Sequence, residues 1–436
     1  MMKRFIGLDV HKTVVEICVI NEAGNILFRR RIDCTRQKLL EFAQELTPDD
    51  AVALEVTTNA WAVADLLEPY VGLVVVSNPM KTKAIAEAKV KTDKVDAEVL
   101  AQLLRCDYLP SVWVPDATTR VMRQLTSRRE RLVSEQTRLM NRIQSVLAGL
   151  LVVVPVKTLF SQEGQLWLSE CELPAHERAL IESDLRLIQT VRQEIEGVEK
   201  LLREEAWKMP HVRLLMTIPG FDYCTAVTLM AALGDLSRFK DGDQAASYLG
   251  LVPSIKQSAN TCSYGSITKQ GNSHARWMLT QAAQNMARHP GPLGVSFRRL
   301  AKRKCWNVAV CATARKLVTI AWLMLKNNEP YRYASPTTTQ HKLTRLRVAV
   351  TGQQRKAKHK GRRPGVKNGQ NPPTRQVPSL NQVCEQEALP PAHGFEQLPA
   401  GEQRILRNLG VIEYVQEIQS ERRIPRTRRS KKKTPQ

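Results

Sequence analysis

No two of the nine cysteines in the chain stand at C-x-x-C spacing. An odd number without that spacing fits neither a disulfide framework nor a zinc ribbon or finger, so the thiols are read as reduced and mostly packed. Long apolar runs are lacking too. The longest, Val146 to Val156, is well short of the ~20 residues that a membrane-spanning helix needs. The N-terminus has no signal-peptide layout, so the sequence predicts a soluble, intracellular protein with no membrane partner. Acid is scarce: 42 Asp and Glu face 65 Lys and Arg, for a net charge of +23. Such an excess is hard to hold on a compact surface unless a polyanion lies against it, which makes nucleic acid the expected partner and places the protein in the cytoplasm, on DNA. What the chain does have is length and apolar content. With 436 residues, 43% of them hydrophobic, it supports roughly two to four domains with cores of their own.

The stretch Arg4 to Ile20 reads as a β-hairpin, two β-rich runs joined by a polar break at His11 to Thr13. Asp9 falls near the end of the first run, where a buried carboxylate costs several kcal/mol unless it is paired, and a divalent cation is one such partner. The alternative is an Asp that begins a turn. A third strand follows over Ile26 to Cys34, then a helix over Arg36 to Leu46. Next come a short strand from Ala51 to Val56 carrying Glu55 near its end, a helix from Asn59 to Pro69, and an apolar run from Val71 to Val76. That last run has the pattern of a strand buried on both faces. Three antiparallel strands followed by strands alternating with helices describe an α/β sheet of the ribonuclease H type.

In the segment Lys89 to Leu104 an apolar stripe of Val95, Leu100, Leu103 and Leu104 predicts a helix. Asp93 and Asp96 stand at i and i+3, one turn apart on one face. Asp93 as helix cap and Asp96 as a solvated first-turn acid would account for both. With Asp9 and Glu55 near strand ends in the same domain, however, four acids can gather at one edge of the sheet. Such a group can hold two Mg²⁺ or Mn²⁺ ions, as in-line attack on a phosphodiester requires.

From Thr118 to Leu150 the pattern changes. Leu125, Leu132, Leu139 and Val146 recur every seven residues, and Ile181, Ile188, Ile195 and Leu202 form a second such series. These are long coiled-coil helices, open either to a hairpin within the chain or to a dimer, with the dimer preferred. Further on, a helix halts at Ile218-Pro219-Gly220 and another begins near Asp222. This is the layout of a helix-hairpin-helix, in which Pro219 and Gly220 would lie against a DNA phosphate. An ordinary turn between packed helices is the other reading.

The segment Ser254 to Asn272, rich in Ser, Lys, Gly and Asn, reads as a loop, followed by a helix from about Ser273. A hydroxyl there, surrounded by Lys256, Lys269 and Arg276, is placed to attack phosphorus, because cations stabilise both the alkoxide and the charged transition state. Ser254, Ser258, Ser263 and Ser266 all qualify, and a loop whose serines only bond nearby backbone is the plain alternative. Val308 to Leu325 reads as a core helix. Beyond Pro330 no acid occurs before Glu385, and basic runs follow at Arg355 to Arg363 and at Arg426, Arg428, Arg429 and Lys431 to Lys433. This part is expected to be a largely disordered basic arm with one helix at Glu402 to Ile418, adding salt-sensitive backbone affinity.

On Gly7-Leu-Asp9, Leu54-Glu55 with Thr57, Lys91-Thr-Asp93-Lys-Val-Asp96-Ala97, Ile218-Pro-Gly220 and Gly250-Leu-Val-Pro253 with Gly265-Ser-Ile-Thr-Lys-Gln-Gly-Asn272, the sequence resembles the DEDD transposases of insertion sequence family 110 and the related Piv DNA invertase. The likeness spans Arg4 to Arg332. It implies a RuvC-like nuclease domain whose metal-holding acids are Asp9, Glu55, Asp93 and Asp96, and a transposase domain whose nucleophilic serine is Ser258. It also implies donor and target DNA as substrates, a structured guide RNA, and work as a multimer, a dimer or tetramer. The expected division is 1–112 for the RuvC-like domain, 113–208 for the coiled coil, 209–332 for the mostly α-helical domain with the helix-hairpin-helix and serine loop, and 333–436 for the arm. Two rivals remain open: a junction-resolving nuclease that hydrolyses with water, and a basic nucleic-acid binder without catalysis.

Overall fold

The computed structural model describes residues 2–85, 92–258, 261–353 and 374–425. They fall into two compact units, Met1–Asp116 and Ala117–Gln436.

The first unit is built on one five-stranded sheet. Its elements are β1 (Arg4–Val10), β2 (Val14–Asn21), β3 (Ile26–Asp33), α1 (Arg36–Ala43), β4 (Asp50–Glu55), α2 (Ala60–Leu67), β5 (Leu73–Ser77), α3 (Pro79–Ile85) and α4 (Asp93–Arg105). The strand order is β3-β2-β1-β4-β5. β1 to β3 form an antiparallel meander, while β4 runs parallel to β1, and β5 parallel to β4.

Strand alternation sorts the side chains onto two faces. Ile6, Leu8 and Val10 of β1, with Val52 and Leu54 of β4, bury against Leu39 and Phe42 of α1 and Val63 and Leu67 of α2. On the opposite face Cys18, Ile20, Ala51 and Ala53 meet Ala97, Leu100, Ala101 and Leu104 of α4. Each large side chain fully withdrawn from water contributes about 1.5–3 kcal/mol. β5 lies at the sheet's edge, with Leu73 45% exposed, so it is not buried on both faces. An apolar run alone does not distinguish a central from an edge strand, because only pairing decides which strand is last.

The second unit is largely helical. It opens with α5 (Ala117–Gly149), α6 (Gln162–Glu170), α7 (Ala175–Lys208), α8 (Pro210–Leu215), α9 (Tyr223–Leu233) and α10 (Gly242–Tyr248). The ribbon β6 (Pro253–Ser258) and β7 (Thr261–Ile267) follows, then α11 (Ser273–Met286), α12 (Pro292–Arg303), α13 (Trp306–Asn327) and α14 (Pro336–Thr351). It closes with β8 (Thr374–Val377), α15 (Leu380–Gln386), α16 (Ala400–Leu409), α17 (Ile412–Gln419) and β9 (Arg422–Pro425). By length and composition α13 could cross a membrane, yet Ala309, Thr313, Leu317, Ala321 and Trp322 are buried in this unit's core.

The preferred dimeric coiled coil is not what fills the seam. Leu139, Ile143 and Leu147 of α5 pack on Ile181 and Ile188 of α7 from the same chain. Arg142 Nε donates to Asp184 Oδ2 at 2.6 Å, and Arg129 Nε to Glu199 Oε1 at 2.9 Å, so both arginines brace this helical hairpin. The connection through α6 is long enough to bring α7 back antiparallel, and the seam closes within the chain.

The disordered arm is also corrected over the described residues. Leu343, Leu346, Leu380, Cys384, Leu406, Val415 and Ile418 are buried in the same core as α9 and α13. The single helix expected at Glu402 to Ile418 is two, α16 and α17, parted at Gly410 with φ +69°. Lys89 to Lys91, the basic run Arg355 to Arg363 and the basic residues from Arg426 to Lys433 lie outside the described residues.

Candidate active site

The strand alternation that turns Leu8 and Leu54 toward α1 and α2 turns Asp9 and Glu55 toward α4. β1 and β4 pair in parallel with Leu8 opposite Leu54, so Asp9, one residue before the end of β1, and Glu55, the last of β4, come next at the same level of adjacent strands. Gly7 lets α4 cross close over β1. A Cβ there would run into the Ala97 carbonyl oxygen and lie 2.8 Å from the Ala101 nitrogen. The first turn of α4 carries Asp93 and Asp96. Its cap is Thr92, whose side chain accepts from the Val95 amide at 3.4 Å. Asp93 is therefore not the cap, and its carboxylate turns elsewhere.

It turns to His11, whose Nε2 is 3.4 Å from Asp93 Oδ1 and 3.1 Å from Asp9 Oδ2. Candidate ligand atoms of Asp9, His11 and Asp93 all lie within 4.8 Å of one another. Burial holds the Asp9 carboxyl above its ordinary range, opposed by His11 and reinforced by the negative charge of Asp93 and Asp96. Of the four acids named from the sequence, the structure brings Asp9 and Asp93 together around His11, with Asp96 close enough for its charge to act on Asp9; Glu55 shares the sheet face and level of Asp9 through the strand register, outside that ligand cluster. Oxygen donors with one imidazole suit a hard or borderline divalent cation such as Mg²⁺ or Mn²⁺. In the sequence His11 belongs only to the polar break between the first two strands. Its spacing of two from Asp9 was the available signal, but only the bend between β1 and β2 brings the ring back over the carboxylate. Glu16, opposite Asp9 in the β1–β2 register, is also a buried acid, with Arg31 Nε at 3.5 Å.

In the second unit the segment read as a loop is a β-ribbon. Ile255 pairs with Tyr264, Lys256 with Ser263, Gln257 with Cys262 and Ser258 with Thr261. Paired residues share a face, so Lys256, Ser258, Thr261 and Ser263 form one side of the ribbon and Ile255, Gln257, Cys262 and Tyr264 the other. Residues 255–258 and 261–266 are exposed, which explains why no burial period marked the strands in the sequence. Ser258 ends β6, and Ala259 and Asn260 lie outside the described residues.

Arg276 is placed differently from Lys256. Its Nη1 donates to the carbonyls of Leu249, Gln270 and Gly271 at 3.1, 2.7 and 3.2 Å, pinning the base of the ribbon. Lys269 is exposed with φ +57°, its amide donating to Gly250 O at 3.1 Å. Pro219 and Gly220 form the turn between α8 and α9. There Asp222 caps α9, its Oδ1 accepting from the Thr225 amide at 2.8 Å. That amide is thereby taken by the chain's own carboxylate and not left for a phosphate. Pro219 and Gly220 border a cavity of about 650 Å³ that also reaches Arg288 and Lys342.

A family model described as Transposase, of the DEDD type of IS110, matches residues 6–152, and one described as Transposase IS116/IS110/IS902 family matches residues 212–297. The chain is 26% identical over 343 residues to the transposase for insertion sequence element IS1111A of Coxiella burnetii, covering 76% of this chain and 91% of that protein. It is 25% identical over 323 residues to the transposase for insertion sequence element IS1328 of Yersinia enterocolitica, covering 73% and 96%. It is 26% identical over 351 residues to the pilin gene-inverting protein of Moraxella bovis, covering 76% and 98%. The first match spans the sheet with its four acids and the second spans the Pro219-Gly220 turn and the serine ribbon, so the chain belongs to the IS110 family of transposases.

Proposed function

We propose that the chain cuts and rejoins DNA strands as the recombinase of an insertion sequence, with Asp9, Glu55, Asp93 and Asp96 holding Mg²⁺ or Mn²⁺ in a RuvC-like site and Ser258 as nucleophile. The observation that carries this reading is the cluster of Asp9 and Asp93 around His11 with the charge of Asp96 acting on Asp9, and the register that sets Glu55 on the neighbouring strand at the level of Asp9 supports a fourth ligand. Like charges so gathered are unfavourable unless a cation joins them. The strand order β3-β2-β1-β4-β5, with the first three strands antiparallel and the last two parallel, supports the ribonuclease H and RuvC-like reading. That a relative is named for inverting a pilin gene supports DNA as the substrate.

When bound, the cation supplies Lewis-acid charge at the phosphate oxygens and lowers the barrier to displacement. The chain supplies the rest. Ser258 Oγ forms a bond to phosphorus as the bond from phosphorus to a deoxyribose oxygen breaks, and the serine proton passes to the released hydroxyl. The phosphodiester energy stays in the serine–DNA link, so attack by a hydroxyl from a second strand restores the serine and joins DNA without an external energy source. Lys256, on the same ribbon face, lies beside the developing negative charge. Lys269, Pro219 and Gly220 are further contacts to nucleic acid, and the net charge of +23 supports both DNA and a guide RNA as partners of a multimer.

The test is an adduct assay on labelled donor and target duplexes, with RNA transcribed from the flanking DNA and Mg²⁺. Ser258→Ala is expected to abolish label that stays on denatured protein, and Asp9→Asn to abolish strand exchange while leaving DNA binding intact. An adduct that survives in Ser258→Ala moves the nucleophile to another hydroxyl, Ser263 first because it shares the face.

A further inference from the structure

The ribbon has a second face that the nucleophile reading does not use. Ile255 is 58% and Tyr264 72% exposed, directly opposite each other, with Cys262 beside them. A two-stranded ribbon is marginal in water by itself, and an apolar pair left to solvent on it gains nothing for the fold. Arg276 holds its base instead, through three carbonyls. The ribbon thus projects with a polar, cationic side bearing Lys256 and Ser258 and an apolar, aromatic side bearing Tyr264. Those two sides match two parts of opened DNA: phosphate for the cation and hydroxyl, unpaired base for the ring. Every base offers a π face, and its stacking on an aromatic side chain is tolerant of sequence.

We propose that the β6–β7 ribbon is a strand-separating wedge: its Ile255–Tyr264 face stacks on unpaired bases of a locally opened DNA duplex while its opposite face presents Ser258 and Lys256 to a phosphate. The stacking half stands on exposure and pairing alone, and the phosphate half rests on Ser258 as nucleophile. In paired DNA the bases are stacked on one another, so the apolar face meets them only where strands part. Entry of the ribbon therefore favours opened duplex.

The experiment uses the full chain and two DNA probes of equal length, one fully paired and one with a central unpaired bubble carrying 2-aminopurine. The wild-type protein is expected to bind the bubble about tenfold more tightly than the paired probe and to quench the 2-aminopurine, as one base–aromatic stack implies. Tyr264→Ala should lose both effects and Tyr264→Trp should keep them, and an unchanged thermal melt would show that the variants are folded. Ser258→Ala should keep the bubble preference and the quenching. If Tyr264→Ala matches wild type in both, the wedge is overturned whether or not an adduct forms. If the wild-type protein forms no adduct yet shows the Tyr264-dependent quenching, the nucleophile reading fails and the wedge stands. A third probe, an RNA duplex with the same central bubble, completes the set, and Tyr264 dependence confined to it would overturn DNA as the occupant.

Discussion

Gly7 lies so close beneath α4 that any side chain there would strike the Ala97 carbonyl. That approach brings the first turn of the helix, with Asp93 and Asp96, to the strand carrying Asp9. A residue with no ligand atom of its own thus sets the spacing of the acids.

Gly7→Ala should lower stability by about 1–3 kcal/mol, the usual cost of overpacking a tight site. Because relief comes by lifting α4, Mn²⁺ affinity should fall as well. Thermal melts and a Mn²⁺ titration followed by electron paramagnetic resonance check both. A destabilised variant with unchanged Mn²⁺ affinity would show that α4 does not carry the ligands.

The Asp9 carboxyl is raised by burial and by its acidic neighbours. The folded state therefore keeps this proton to a higher pH than the unfolded chain, and metal-free stability is lost as pH rises from the ordinary carboxylate range through the raised value. Asp9→Asn should remove that loss and raise the melting temperature of the metal-free protein at neutral pH. It should also abolish the upward shift that Mg²⁺ gives the wild type. Melts with and without Mg²⁺ at several pH values decide it, and an equal Mg²⁺ shift in both proteins would remove Asp9 from the metal site.

Lys342 of α14 donates from Nζ to the carbonyls of Ile218 and Phe221 at 2.8 and 2.9 Å. Burial pulls its amine down to about 7, and a neutral amine has two N–H bonds for those two acceptors. The unfolded chain holds this proton up to the usual lysine range, so stability should rise with pH from about 7 toward 10. Lys342→Met should lose that part of the slope. Denaturant midpoints of the two proteins across this range measure the difference, and parallel curves would contradict the shift.

Arg276→Ala should cost about 1 kcal/mol, since the buried Leu249 carbonyl loses its donor while those of Gln270 and Gly271 can turn to water, and it should leave the salt dependence of DNA binding unchanged. Lys256→Ala should behave in the opposite way, with normal stability and a salt slope reduced by about one phosphate contact. Affinity measured across salt concentrations, beside thermal melts, separates the two roles.

Much of the fold was legible in short stretches. The meander, the alternating helices and strands and the long helices each carry a period within a few consecutive residues, and side-chain geometry reads that period directly. The acids Asp9, Glu55, Asp93 and Asp96 were visible for the same reason, as charges set where apolar strands end or a helix begins. The ribbon bearing Ser258 was missed because both of its faces meet solvent, so no burial pattern marks it. The folded part of 333–436 was missed because its apolar residues are sparse and bury only against helices far away in the sequence. His11 was missed because a turn, not a spacing rule, returns it to Asp9. The sequence by itself determined which segments become helix or strand and which residue types are available for chemistry. Only the tertiary structure decided that Asp9 and Glu55 share a level, that α4 lies on their face and that Ser258 shares a ribbon side with Lys256, because register and face are settled by pairing and packing between segments distant in the chain.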